Sequence, residues 1–404
     1  MKIVGVVAEF NPFHNGHAYL LEQARQAAGK EAVIVCVMSG NWMQRGEPAI
    51  ISKFPRARIA AESGADLIFE LPTPWAAAAA GTFAQGAVDL LVAAGIDMLV
   101  FGSESGDIAA LQQLADCLSD EATQALIREE LTKGISYPAA RQRAVRRRIG
   151  SAAATCLDHP NNTLAVEYLL ALKTLGADHV EAYTVSRFAV PHDSLTVNRG
   201  FASANYIRSC IKDGAWTEVA MYVPPAATKV LAEEEAAGRL PADFTGCERA
   251  MLAKLRSMSP SRFAQLPDVS EGLENRLYRA AQQACCMEEF LDLSKTKRYT
   301  HARLRRIMTH AYLNTVDSAL PDSPSYLRVL AANKAGQQYL RKLSKTATLP
   351  VISRIAQIKS LSPEGQALFR YEDRCTDLYV LTYPDSMQWV GGGEFQSRPY
   401  FSET

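Results

Sequence analysis

Lysine and arginine together number 43, and aspartate and glutamate also number 43, so the chain carries no net charge of either sign. No global field draws the whole molecule to nucleic acid, and any such contact requires a local patch. The eight cysteines contain no Cys-x-x-Cys pair, and Cys285 and Cys286 are adjacent. That usage suits neither a zinc site nor a secreted disulfide framework, and reduced cytosolic thiols are the expectation. Long apolar runs are missing too. The most apolar tract, residues 75–102, is interrupted by Gln85, Asp89 and Asp97, so it reads as buried helix plus strand rather than a membrane span. Residues 1–7 are too few for a signal h-region, and polar NPFHNGH follows at once. Neither a G-x-x-x-x-G-K-[ST] nor a G-x-G-x-x-G fingerprint stands at the first strand-to-helix turn. There is no internal repeat and no low-complexity segment. A cytoplasmic protein with no membrane partner is expected.

What is present is a chain of 404 residues, long enough for two or three domains. Its first half alternates short apolar runs with helical periodicity. Ile3–Ala8 is β-branched enough for a buried strand, and residues 17–27 carry Leu20, Leu21 and Ala24 at helical spacing. Further strands are predicted at 32–38, 67–71, "DMLVFGSE" (ending on a glycine) and 179–185, with helices between them, including 54–63 and 161–176. Strands separated by helices imply a parallel sheet with right-handed crossovers, and polar loops gathered at its carboxyl edge. Beyond residue 225 helical periodicity dominates, "YLRVLAANKAGQQYLRKL" included, and only "DLYVLTYP" looks like a late strand. The fold class is therefore α/β. A Rossmann-like parallel-sheet domain over residues 1–225 is followed by a mostly helical domain over 226–404.

The chemical signals concentrate in "AEFNPFHNGH", residues 8–17, between the first strand and its helix. His14 and His17 stand at i and i+3, on one face of the first helical turn, where both rings can reach one oxyanion. Gly16 lets the backbone approach a ligand closely, and Pro12 stiffens the approach to the turn. Helix N–H groups and the helix dipole make the turn a place for an anion. Two imidazoles there could stabilise charge on a nucleotide's phosphates during displacement at phosphorus. The competing view is a polar cap made by the same two side chains.

"FHNGH" after a first strand resembles the H-x-G-H signature of the nucleotidylyltransferase superfamily. Seven stretches in order, "VVAEFNPFHNGHAYLL", "MSGNWMQRGEPAIISKF", "DLIFELP", "FGSES", "HPNNTLAVEYLLALK", "FASANYIR" and "SKTKRYTHARLRRIM", resemble the bacterial tRNA(Met) cytidine acetate ligase family. The resemblance implies ATP-dependent activation of acetate to acetyl-adenylate, then acetylation of N4 of the wobble cytidine of elongator tRNA(Met). Its partners would be that tRNA and acetate, with no DNA, and its substrate nucleotide ATP. Mg2+ is expected with ATP, but no carboxylate cluster would hold it alone.

The resemblance also implies site residues. His14 and His17 would be catalytic. The ATP segment would run through Val7, Ala8, Glu9, Phe10, Asn11, Pro12, Phe13, His14, Asn15, Gly16, His17, Ala18, Tyr19 and Leu20, with the backbone of residues 11–16 holding the triphosphate. Gly102 would let adenosine approach the main chain, against the plain reading of a turn glycine. Asn161 and Arg187 would contact ATP, with Asn162 the alternative to Asn161 and an N-cap role open for either reading. "FASANYIRS" resembles the superfamily's S-[ST]-x-x-[IL]-R loop and so implies Ser203 and Arg208 as phosphate contacts; its Ala204-Asn205 departs from the common Ser-Thr form. The loop Arg45-Gly46-Glu47-Pro48 and Lys53 could face acetate or phosphate, or be a solvated surface.

Three basic stretches remain. "KTKRYTHARLRR" offers Lys295, Lys297, Arg298, Arg303, Arg305 and Arg306, and "RQRAVRRR" and "YLRKLSK" add further cations. On a chain of zero net charge they imply a polarised surface suited to a phosphate backbone. The first stretch is the expected tRNA grip. Two other functions stay open on sequence grounds: a small-molecule nucleotidylyltransferase, and a non-catalytic RNA-binding protein with a nucleotide pocket.

Overall fold

In a computed structural model the described residues are 1–186, 200–270, 272–317 and 320–403. Among them eight strands form one sheet: β1 (Ile3–Ala8), β2 (Val33–Ser39), β3 (Leu67–Leu71), β4 (Met98–Ser103), β5 (Glu181–Ser186), β6 (Leu327–Ala332), β7 (Val351–Ile352) and β8 (Tyr400–Phe401). The order is β5-β4-β1-β2-β3-β6-β7, with β8 also on β6. β1 lies in parallel between β4 and β2, with Ile3 opposite Val33 and Val4 opposite Met98. Helices cover both faces, which is why β2 and β3 are apolar almost without alternation and buried throughout.

Two cores follow from the pleat. Val33, Val35, Leu67 and Phe69 face the helices Ala80–Ala93 and Pro160–Thr174 on one side of the sheet. Val4, Val6, Ile34, Cys36 and Ile68 face α1 (Asn15–Ala28) and α2 (Lys53–Glu62) on the other. A third core joins Trp42 and Ala77 to Phe263, Phe290 and Leu304 of the helical second half. No described helix is long and apolar enough to cross a membrane.

Two expectations beyond residue 225 are corrected. The run at 327–332, read as helical, is β6; it pairs antiparallel with β3 and sits beside it in the sheet. Only Lys334–Thr346 of that stretch is helix, started by Asn333, whose side chain accepts the Gly336 N–H and donates to Asp66. "DLYVLTYP" is no strand. It is the end of the helix Pro363–Tyr379 and a 3-10 turn, because Ser362 caps a helix that runs on through Tyr379. The sheet thus takes β6, β7 and β8 from the part of the chain assigned to the helical domain.

Candidate active site at the start of α1

The turn after β1 is built by buried groups. Phe10, in a left-handed conformation (φ 48°), and Phe13 are fully buried, with ring centroids 4.8 Å apart. Both rings lean on His17, at 5.0 and 5.5 Å, so the two phenylalanines position an imidazole. Pro12 is buried beside them, Val7 and Ala8 close β1 half-buried, and Ala18, Tyr19 and Leu20 pack on the α2 side. The Asn11 side chain accepts the Ile50 N–H at 2.8 Å. Asn15 donates to the carbonyls of Gly200 and Met221, both at 3.1 Å, tying α1 to distant chain.

His14 and His17 form one unit. His14 is the N-cap of α1 and its Nδ1 accepts the Gly16 N–H at 3.1 Å. The His17 Nδ1 accepts the His14 N–H at 3.2 Å, completing a capping box made of two imidazoles. The rings stack, centroids 3.7 Å apart and 22° from parallel. With each Nδ1 engaged as an acceptor, each neutral ring carries its proton on Nε2. A cap role and a donor role are therefore compatible in the same two residues: capping fixes the tautomer that can donate to an oxyanion at a helix start. Gly16 has a packing role as well. A Cβ there would lie 2.9 Å from His14 Cε1 and 3.0 Å from Nδ1, so glycine makes room for the capping ring.

One charge near the turn escaped sequence reasoning. Arg56 of α2 is fully buried and donates to the carbonyls of Glu9 at 2.6 Å, Ser39 at 3.1 Å, Ile51 at 3.1 Å, and Gly40. It pins the carboxyl ends of β1 and β2 together. Burial pulls its guanidinium down to about 10, which leaves it charged near neutral pH. A fixed cation behind an anion site adds to the field there. No local pattern around "FPRAR" distinguishes this arginine from a surface one.

Arg208 reaches the same turn, from the helix that Ser203 starts. Ser203 caps the helix Ala204–Lys212 by accepting the Tyr206 N–H at 3.1 Å, and Arg208 donates to the Asn11 carbonyl at 2.7 Å and to Asn205. Gly102 lies inside β4, opposite Val185, and the strand runs one residue past it to Ser103. The two asparagines separate clearly. Asn162 is buried, accepts the N–H groups of Glu104 and Ser105 at 2.9 and 3.1 Å, and donates to Cys156 at 3.1 Å. Its amide holds the loop after β4. Asn161 is more open and donates to Glu104 Oε1 at 2.6 Å. The N-cap of that helix is His159, not either asparagine. Arg187 lies outside the described residues.

The 40–51 loop is not a solvated surface. Trp42 is fully buried and donates to the Cys375 carbonyl at 3.1 Å. Gly46 (φ 73°) presses on the helix His301–Tyr312, where a Cβ would sit 2.5 Å from the Arg306 nitrogen. Lys53 is not on a solvated surface either. It is buried against Glu70 at 2.6 Å and Glu394, and Arg328 joins Glu394 at 2.5 Å.

The basic stretches also separate. Lys295 and Lys297 are exposed and Arg298 half-exposed, in the connection before the helix His301–Tyr312. Arg303 donates to the Asp268 carbonyl at 2.8 Å and lies over Tyr299; Arg305 pairs with Glu47 at 2.5 Å; Arg306 is buried against Asp268 at 2.7 Å. In "RQRAVRRR", Arg141 pairs with Glu167, Arg143 and Arg147 with Glu130, and Arg148 with Asp120. Among the described residues, the one grouping of ligand atoms close enough for a cation is Cys285, Cys286 and Glu289. Its thiols do not suit Mg2+, which takes oxygen ligands.

Comparison with known proteins adds the following. The family described as HIGH Nucleotidyl Transferase matches residues 1–391. The tRNA(Met) cytidine acetate ligase of Acetivibrio thermocellus is 36% identical over 410 residues, 98% of each chain. That of Caldanaerobacter subterraneus is 37% identical over 390 residues, 95% of this chain and 96% of its own. The apo crystal structure of Thermotoga maritima TmcAL superposes with a TM-score of 0.94 at 32% identity, covering 100% of both chains. The structure of the same protein bound with alpha-thio ATP gives 0.92 at 33% identity, again over 100% of both.

Proposed function

The chain belongs to the HIGH nucleotidyltransferase family, among its tRNA(Met) cytidine acetate ligases, and from that premise we infer how its own residues carry the reaction. The protein is an ATP-dependent ligase that joins acetate to a cytidine of tRNA(Met). What carries this is whole-length likeness to TmcAL bound with an ATP analogue, combined with the stacked imidazole pair at the start of α1.

The chemistry follows in two steps. Acetate is already ionised near neutral pH and needs no general base; an acetate oxygen bonds to the α-phosphorus of ATP and pyrophosphate leaves. Repulsion between two anions is the obstacle. The Nε2–H groups of His14 and His17, the α1 amides and the buried Arg56 oppose it, and Arg208 joins them from the Ala204–Lys212 helix. Asn161, rather than the structurally engaged Asn162, and Gly102 are assigned to the nucleoside side, with Arg187. Next N4 of the wobble cytidine bonds to the acetyl carbonyl carbon, AMP leaves, and N4 loses one proton. The base lies in a loop and can be splayed out at modest unstacking cost. Lys295 and Lys297 are the tRNA contacts this reading favours, in a mostly helical second half that serves as the RNA-binding part. Mg2+ would arrive with ATP, held by its phosphates. The place of work is the cytoplasm.

Mass spectrometry of tRNA(Met) treated with the protein, ATP and labelled acetate tests the whole. The expected product is labelled N4-acetylcytidine at the wobble position, formed only when ATP is present. Label incorporation from acetyl-CoA without ATP would overturn the acetyl-adenylate route.

A further inference from the structure

A cavity of about 600 Å³ opens between the Ala204–Lys212 helix and the helices Met287–Ser294 and His301–Tyr312. It shares a wall with the catalytic turn. Ile50 and Arg208 line it, and these two residues also hold Asn11, through its side chain at 2.8 Å and its carbonyl at 2.7 Å. Its position in the sheet is informative. Gly102 and Asn161 lie on the β4 side of β1, whereas Glu47 and Ile50 come from the loop after β2, on the opposite side of β1. Phosphates bound at the start of α1 would stand between the two. A second substrate approaching from the side away from the adenosine therefore meets this cavity.

Its chemistry selects the occupant. Two cations of the wall are already paired, Lys212 with Asp243 at 2.9 Å and Arg305 with Glu47 at 2.5 Å, and Arg208 stands at the Asn11 end, beside the turn assigned to the ATP phosphates, so the rest of the wall has little to offer a further phosphate. The exposed carboxylates of Glu288 and Asp292 would repel one. The same carboxylates accept hydrogen bonds from an amine. Phe244 adds an aromatic surface, half-buried and stacked at 6.3 Å on the fully buried Trp42. A flat, uncharged heterocycle with an exocyclic amine satisfies all of this. We propose that the cavity receives the cytosine of the acceptor RNA, turned out of its loop, while the exposed lysines outside the cavity meet the phosphate backbone. This deepens the ligase reading and rests on it.

The direct test is photo-crosslinking of the wild-type protein to tRNA(Met) carrying 4-thiouridine in place of the wobble cytidine, followed by peptide mapping. Crosslinks within residues 243–245 or 287–292 are expected; crosslinks wholly outside the cavity wall would overturn the proposal. Two variants give a second readout. Phe244→Ala removes the stacking surface and Leu291→Trp fills the cavity. Acetyl transfer to tRNA should fall by about tenfold to a hundredfold in each, the range of one lost base-stacking contact. Acetate-dependent ATP–pyrophosphate exchange, measured without tRNA, should stay near the wild-type rate. If the wild type makes acetylated tRNA and both variants keep its transfer rate, the cavity assignment fails and the ligase reading stands. If the wild type makes no acetylated tRNA, the ligase reading fails and takes the cavity with it.

Discussion

His17 Nδ1 accepts the backbone N–H of His14 at 3.2 Å while their rings stack at 3.7 Å, so neither imidazole can move without disturbing the other. A cap alone would be served by serine or aspartate, which are better N-cap residues and need no aromatic support. Two rings, both with Nδ1 turned inward, one braced by buried phenylalanines and the other stacked on it, make sense when Nε2–H is the working group.

His14→Asn separates the two roles, because asparagine can still accept the cap hydrogen bond but lacks the Nε2 donor. Acetate-dependent pyrophosphate exchange should fall on the order of 100- to 1000-fold, as for the loss of one oxyanion donor. Thermal unfolding should change little. Near-normal exchange in this variant would reduce His14 to a cap.

Gly16→Ala tests the packing of the pair. On helix propensity alone alanine would gain up to about 1 kcal/mol over glycine. Its methyl, however, would lie 2.9 Å from the His14 ring and force it to shift. Small misplacements of catalytic groups can cost about 100-fold. Exchange should therefore drop clearly while the unfolding midpoint holds or rises. An active Gly16→Ala enzyme would show that the ring position is uncritical.

Much of this site was legible because its signals are local. A β-branched run, an Asn-Pro turn and His-x-Gly-His within fifteen residues name a strand, a turn and a helix start. β3 falls at the predicted residues for the same reason. What was not legible depends on distant partners. Leu327–Ala332 is strand because β3 offers it an edge, and nothing within the run separates it from a short apolar helix. Lys53 reads as a loop cation until Glu70, Arg328 and Glu394 surround it from three remote segments. The Pro363–Tyr379 helix is different: Ser362 followed by proline is an ordinary start signal, and the β-like "LYVLTY" at its end outweighed it. Asn161 and Asn162 differ only through the loop after β4, whose backbone N–H groups bind the buried Asn162 and whose Glu104 carboxylate binds the more open Asn161.

His310 predicts an acid-sensitive core. It is buried, with Nε2 2.9 Å from the Ala77 carbonyl and Nδ1 3.0 Å from Thr315 Oγ1, and burial pushes its pKa from 6.5 down to about 4. The folded state thus binds fewer protons than the unfolded chain between those values. Its contribution is fully present above pH 6.5 and is lost as pH falls through about 4. The linked change is about 3 kcal/mol. Urea midpoints of wild type and His310→Asn should converge as pH falls from 7 to 4. A constant gap over that range would contradict a neutral buried ring.

The basic segment at 295–306 makes the last prediction, because the structure divides what the sequence presents as one patch. Lys295 and Lys297 are exposed, whereas Arg306 is buried against Asp268 and Arg305 is paired with Glu47. Exposed lysines that neutralise phosphates release counterions, so they set the salt dependence of RNA binding. A buried paired arginine does not. Lys295→Ala with Lys297→Ala should weaken tRNA(Met) binding and lower the slope of log affinity against log salt by about one per lost phosphate contact. Acetate activation without tRNA should persist in that double variant. Arg306→Ala should instead lower the unfolding midpoint, since Asp268 loses its partner beside a packed helix. Equal binding and equal salt slope in the lysine variant would place the tRNA on another face. The cations would then serve only to keep the loop before the His301–Tyr312 helix in water, and the RNA grip would have to be sought on the exposed face of Lys334–Thr346, where Arg341, Lys342 and Lys345 lie.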